Sequence, residues 1–206
     1  MISLLRLHAI LLVSILSLTL TQCVNLTPPQ AASSFETQSQ STRQASLATL
    51  THWDIQGAFS IQHQGKSEIA NYTWQQRNHA NYNIHISSTL NAYVVNVVGD
   101  KNGVILYQNN EKPLTANTPT ELLEKTIGFS LPIDNLYYWI RGLAAPGKNT
   151  QTTDKYGNLS TLDQNGWHVE FSRYTHLTKD IDVPQLLNLN SDNLSVRLVI
   201  KKWQKK

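Results

Sequence analysis

The sequence predicts a mainly β fold: one strongly curved antiparallel sheet with short helices lidding its open side. Three observations predict it. Apolar and polar residues alternate with period two through most of the chain after residue 50, short polar turns join the alternating runs, and only two short stretches carry a helical pattern. A chain of 206 residues makes one sizeable domain. A body of that length buries roughly two-thirds of the surface its unfolded form exposes, so it needs no disulfide staple. The one cysteine, Cys23, could not supply one.

Residues 1–22 read as a signal peptide. Arg6 supplies the positive charge, and Ala9 to Leu20 form an apolar run broken only by Ser14, Ser17 and Thr19, too short to span a bilayer comfortably. The run ends in Leu20-Thr21-Gln22-Cys23, which resembles a bacterial lipobox, although Gln22 stands where a small residue is usual. The chemistry of such a site needs a thiol, because diacylglycerol is attached through a thioether and cleavage then frees an amine for a third chain. The competing reading is an ordinary signal with an incidental cysteine. Val24 is not the aspartate of an inner-membrane retention signal, which favours the outer membrane. Two or more acyl chains anchor stably where one does not, at about 0.8 kcal/mol per buried methylene. The stretch 23–46, rich in Pro, Ala, Ser, Thr and Gln, reads as a lipid-anchored flexible tether, leaving 47–206 as a single β domain on the periplasmic side.

In that domain Trp53, Ile55, Phe59 and Ile61 alternate with Asp54, Gln56, Ser60 and Gln62, with Gly57 marking a bend or a close backbone approach. The next run sets Ala70, Tyr72 and Trp74 against Glu68, Asn71, Thr73 and Gln75. A third sets Tyr82, Ile84 and Ile86 against Asn81, Asn83 and His85. Tyr93 to Val98 and Val104 to Tyr107 complete a five-strand meander. Thr118-Pro119-Thr120-Glu121 is a capping box with proline at the first helical position; Leu122, Leu123 and Ile127 then share a face before Gly128. A second helix starts near Pro132 and carries Leu136, Trp139 and Ile140 before Gly142. Strands resume at Leu159–Leu162, at Trp167, Val169 and Phe171, and at Leu194, Val196, Leu198 and Ile200.

A curved sheet lidded by two helices encloses either a packed core or an apolar cavity, and the pattern leaves both open. Trp53, Phe59, Tyr72, Trp74, Ile84, Trp139 and Trp167 are the candidate cavity lining. Seventeen basic against 14 acidic side chains exclude a nucleic-acid binder. The seven histidines have no metal-ligand spacing, Asp154, Asp163 and Glu170 form no acid/base pair, and no serine sits in a nucleophile elbow, so no metal site and no enzyme motif is read. Lys201, Lys202, Lys205 and Lys206 around Trp203 fit either contact with anionic headgroups or protection of a strand end.

Several strings together resemble the LolB family of outer-membrane lipoprotein acceptors: Trp53-Asp54-Ile55-Gln56-Gly57-Ala58-Phe59, Tyr72-Thr73-Trp74-Gln75-Gln76, Gly128-Phe129-Ser130-Leu131-Pro132-Ile133, Tyr138-Trp139-Ile140-Arg141-Gly142-Leu143, Gln164-Asn165-Gly166-Trp167 and Ile200-Lys201-Lys202-Trp203. Their order and spacing carry the resemblance over nearly the whole mature chain. It implies a half-open antiparallel barrel closed by short helices around an apolar cavity. It implies a monomer that takes lipoproteins by their acyl chains from a soluble periplasmic carrier of the LolA kind and inserts them into the outer membrane. No cofactor and no catalysis are implied. It also implies a protruding apolar loop at Ser87-Ser88-Thr89-Leu90-Asn91-Ala92, with Leu90 as the leucine that enters the membrane, although Thr89 and Asn91 stand where the family has proline and glycine. Two other readings compete: a scaffolding lipoprotein acting by protein contacts, and a small esterase or glycan-acting enzyme on a β fold.

Overall fold

The computed structural model describes residues 35–88, 93–109, 111–127 and 131–206, and residues 35–206 form one compact unit. Helix α1 (Gln40–Ala48) is followed by six strands, β1 (Trp53–His63), β2 (Lys66–Gln76), β3 (Tyr82–Ser88), β4 (Val94–Asp100), β5 (Gly103–Gln108) and β6 (Leu114–Ala116). Helices α2 (Pro119–Ile127) and α3 (Ile133–Trp139) come next. The chain closes with β7 (Thr150–Thr153), β8 (Leu159–Gln164), β9 (Trp167–Ser172), β10 (Thr175–Thr178), β11 (Ile181–Val183), β12 (Leu186–Ser191) and β13 (Leu194–Lys205).

Eleven strands form one sheet in the order β6-β5-β4-β3-β2-β1-β13-β12-β9-β8-β7, and β10 pairs with β11 separately. Every pairing is antiparallel. The expected meander β1–β5 is present, and the last strand of the chain returns beside the first, joining two meanders into one curved surface. The edge strands β6 and β7 do not pair with each other, so the sheet is open. Two signals set local geometry. The register between β1 and β13 shifts at Gln56/Gly57, and a Cβ at Gly57 would lie 1.9 Å from the Val199 carbonyl oxygen, so only glycine allows the strands to meet there. Asn165 and Gly166, both at positive φ, make the tight β8–β9 hairpin that an Asn-Gly pair favours.

The helices begin where their caps dictate. Thr118 Oγ1 accepts from the Glu121 amide at 3.1 Å, while Glu121 reaches back to the Asn117 amide at 3.2 Å, one residue short of the reciprocal bond of a full capping box. Lys125 bonds Glu121 at 2.6 Å, and this hydrogen bond is the first reason why the Glu121 carboxyl titrates below its ordinary range. Leu122 is buried beneath α2, and Leu136, Trp139 and Ile140 are buried at α3. Gly128 lies outside the described residues.

One helix stands where a tether to residue 46 was expected. Ser39 caps α1 by accepting from the Thr42 amide at 3.2 Å, and Arg43 and Leu47 are buried. Arg43 pairs with Asp182 on β11 at 2.6 Å and donates to the Tyr156 carbonyl at 3.0 Å; His176 holds the other Asp182 oxygen. Phe35 stacks on His176 at 4.6 Å. The segment 35–48 is therefore part of the packed body, because burying Arg43 without its carboxylate would be costly and the two hold the segment in place.

Candidate functional site

The register places successive rungs of side chains across the inner face of β1–β5. One rung runs Ile55–Trp74–Ile84–Val97–Leu106, and all five are buried. Trp53 beside it is wholly buried, its ring 5.4 Å from Trp74 and 5.6 Å from Trp203. Tyr72 is the last buried side chain of its rung; its neighbours Ile86 and Val95 are half-buried. Beyond it the inner face opens. Phe59 and Ile61 are half-buried against the core, and Glu68, opposite Ile61, is exposed. Phe59 touches Tyr72 at 6.2 Å between ring centres. The half-buried group Phe59, Ile61, Ile86 and Val95 is thus an apolar strip that its own fold leaves partly in water, the feature expected of a site for apolar ligands.

The helices hold the other part shut. Arg141, just past α3, is almost wholly buried; its Nε donates to the Tyr137 carbonyl at 2.9 Å and its Nη1 to the Leu50 carbonyl at 3.0 Å. Its guanidinium lies 4.0 Å from the Tyr137 ring centre, and burial lowers its pKa from the ordinary value. Trp139 donates to Gln164 Oε1 at 3.0 Å, and Gln164 exchanges two bonds with the Ala145 backbone at 3.0 and 2.7 Å. These bonds tie α3 to the start of β1 on one side and to the β8–β9 hairpin on the other. Burial holds the Tyr72 and Tyr82 hydroxyls above their ordinary range, with the Asp134 charge adding at Tyr82.

Of the seven expected lining residues, Trp53, Tyr72, Trp74, Ile84, Trp139 and Trp167 are buried in one apolar cluster, and Phe59 is half-buried at its margin. The strand runs were assigned to the correct faces with one exception. Glu68 shares the face of Ala70, Tyr72 and Trp74, since strand side chains repeat every two residues, and it stands exposed because the inner row has left the core at that point. Cys23 and Leu90 lie outside the described residues; Ser88 and Tyr93, which bracket 89–92, bond each other through Ser88 N to Tyr93 O at 3.2 Å and Tyr93 N to Ser88 Oγ at 3.3 Å. Arg141, Gln164, Ile86 and Val95 were not singled out from the sequence. Arg141 had a signal, a cation at a helix C-terminus. The C-terminal lysines begin just beyond Val199, the last β13 residue paired with β12 (at Leu186), and Lys206 approaches Asp54 at 3.3 Å. Two clefts are lined mostly by polar residues: one is bordered by Lys148, Asp163, Trp167 and His168, the other by Ser60, Glu170, Asn188 and Arg197. Among the described residues no group of His, Cys, Asp and Glu is arranged to hold a metal, and no helix is long and apolar enough to cross a membrane.

An open antiparallel sheet whose inner face is roofed by short helices and greasy at one end defines the class of LolA-like folds. A LolA superfamily protein from Nitrosomonas europaea shares it, with a TM-score of 0.54 covering 82% of this chain and 93% of that one at 6% identity. The family described as outer membrane lipoprotein LolB matches residues 51–203. The outer-membrane lipoprotein LolB of Coxiella burnetii is 40% identical over 201 residues, covering 97% of this chain and 95% of the relative. That of Francisella tularensis subsp. tularensis is 29% identical over 200 residues, covering 97% and 95%. The chain belongs to the LolB family, and is accordingly an outer-membrane lipoprotein that works in lipoprotein localisation.

Proposed function

We propose that the apolar strip at Phe59, Ile61, Ile86 and Val95 receives the acyl chains of client lipoproteins from a soluble LolA-like carrier, and that the chain then passes them into the outer membrane as a monomer anchored through acylated Cys23. The observation that supports this reading most is the change along β1 from a filled inner face at Trp53 to a half-exposed one at Phe59 and Ile61. An alkyl chain laid on that strip leaves water at about 0.8 kcal/mol per methylene. A difference of only 1.4 kcal/mol between carrier and acceptor directs transfer tenfold, so no chemical step and no energy source is needed. Trp74, Tyr72, Ile84, Trp139 and Trp167 are packed in the apolar cluster beside the strip, and room for the rest of an acyl chain opens among them when α3 moves and the bonds of Arg141 to Leu50 and of Trp139 to Gln164 break. Leu90 is the side chain that enters the bilayer, where it gains roughly 1.5–3 kcal/mol.

The test is release of a tagged lipoprotein from its soluble carrier by membranes with and without this protein. Release only in its presence is the expected result, and no release removes the reading. Leu90→Glu should fold and take cargo from the carrier but fail to deliver it; full delivery by that variant rules Leu90 out.

A further inference from the structure

The exposed large apolar side chains are sorted to one arm of the sheet. Among the described residues they are Ile69 at 58% exposure, Tyr107 at 44% and Leu114 at 44%, on β2, β5 and β6; Ile69 and Tyr107 point outward, while Leu114, opposite Leu106, stands at the inner margin. None falls on the arm formed by β7, β8, β9, β12 and β13. Ile69 points outward, since its neighbours Glu68 and Ala70 belong to the inner row. It is one residue beyond Ala70, whose partner Ser88 is where the chain enters 89–92. The outward row behind it is free of strong charge: Asn71, Thr73, His85, Ser87, Val94, Asn96, Val98, Ile105 and Tyr107, with Asp100 alone at the far end. His85 is neutralised in hydrogen-bonding terms by Asn96 Oδ1 at 2.8 Å. The outward positions of the opposite arm include Asp163, His168, Glu170, Asn188 and Arg197, a charged and hydrogen-bonded surface that an apolar medium would accept only at a cost.

We propose that the outer surface of β2–β6, centred on Ile69, is a second membrane-contact surface beside 89–92, and that its occupant is the phospholipid leaflet carrying the anchor. This rests on the proposed delivery to the bilayer and adds to it an orientation: the body leans on this arm and turns the polar arm to the periplasm. Two arguments favour a bilayer over a protein. The dozen residues from Cys23 to Phe35 reach at most about 40 Å, which keeps the body near the leaflet. The chemistry is that of a membrane interface too: an aliphatic side chain and a tyrosine stand apart among uncharged amides and hydroxyls, without the contiguous apolar centre that a protein interface buries.

The experiment uses the full acylated chain in vesicles of phosphatidylethanolamine and phosphatidylglycerol that contain phospholipid with a nitroxide on its acyl chains. Acylation consumes the Cys23 thiol, so Ile69→Cys and, separately, Glu170→Cys each offer one site for a fluorescent label. The label at 69 should be quenched at least about threefold more than the label at 170; equal quenching, or shielding of 69 only by added carrier, overturns the proposal. Ile69→Asn should slow delivery about tenfold, the factor of one methyl-rich side chain left in water, with release from the carrier unchanged. Delivery at the wild-type rate also overturns it. A wild-type chain that releases nothing from the carrier defeats the proposed function, while the quenching ratio still decides the contact surface.

Discussion

Along β1 the inward side chains pass from Trp53, wholly buried between Trp74 and Trp203, to Phe59 and Ile61, half in water. Both ends have the same pattern, alternating apolar and polar residues on one strand of one sheet. They differ in what covers them. At the Trp53 end the Arg141 bond to the Leu50 carbonyl brings α3 against the start of the strand, and aromatic rings fill the space beneath. At the Phe59 end Leu198 and Val196 of β13 are buried on one side, while on the other the inner positions of β2 are Ala70, buried but small, and Glu68, which needs water. The same alternation therefore yields core at one end and a half-exposed apolar strip at the other. The difference lies in the roof.

That contrast can be broken most directly by removing large side chains at each end. Trp53→Ala should cost about 3–5 kcal/mol of unfolding free energy, read by urea denaturation, because a fully packed indole leaves a cavity its neighbours cannot refill. Arg141→Met should cost about 2 kcal/mol, since the buried Leu50 and Tyr137 carbonyls lose their donors. Phe59→Ala should cost only about 1–2 kcal/mol, a part of the full-core value in proportion to its burial. Equal losses for Trp53→Ala and Phe59→Ala would erase the distinction between core and strip. Phe59→Glu sharpens it from the other side: binding of a fatty-acid probe should fall at least about tenfold, while the loss of stability stays below that of Trp53→Ala.

Smaller effects belong to groups already in water. Glu68→Gln should change stability by less than about 0.5 kcal/mol despite its inward position. The Glu121 carboxyl is held below its ordinary range by Lys125, so its stabilisation of α2 is present above the usual carboxylate pKa and is lost as pH falls through the lowered folded value. Glu121→Gln should abolish that acid-side loss, followed by helical circular dichroism between neutral and acidic pH. An unchanged acid profile would show that the cap does not hold the helix.

Local patterning made much of this legible. Period two assigned Trp53, Tyr72, Trp74 and Ile84 to one face, Gly57 announced the bulge, and Thr118-Pro119 announced α2, because each signal acts over a few residues. Glu68 was misassigned because its charge outweighed its register; a charged residue can occupy the inner row once that row has left the core. Helix α1 was missed because Ser39 to Ala48 has few apolar residues, and what fixes it is Arg43 meeting Asp182, 139 residues further on. Strands β6, β7, β10, β11 and β12 were missed because the first four run to only three or four residues and Leu186-Leu187 breaks the alternation in β12.

By itself the sequence determined the longer strands, nearly all of their faces, the main turns and the family, since those follow from the identity and spacing of near neighbours. Tertiary structure alone decided which stretch of the inner face is core and which is strip, because that depends on where Arg141 and Gln164 set α3 down on a sheet assembled from both ends of the chain. It also decided that the exposed apolar groups Ile69, Tyr107 and Leu114 share one arm, since burial is a property of the assembled surface and not of any residue in it.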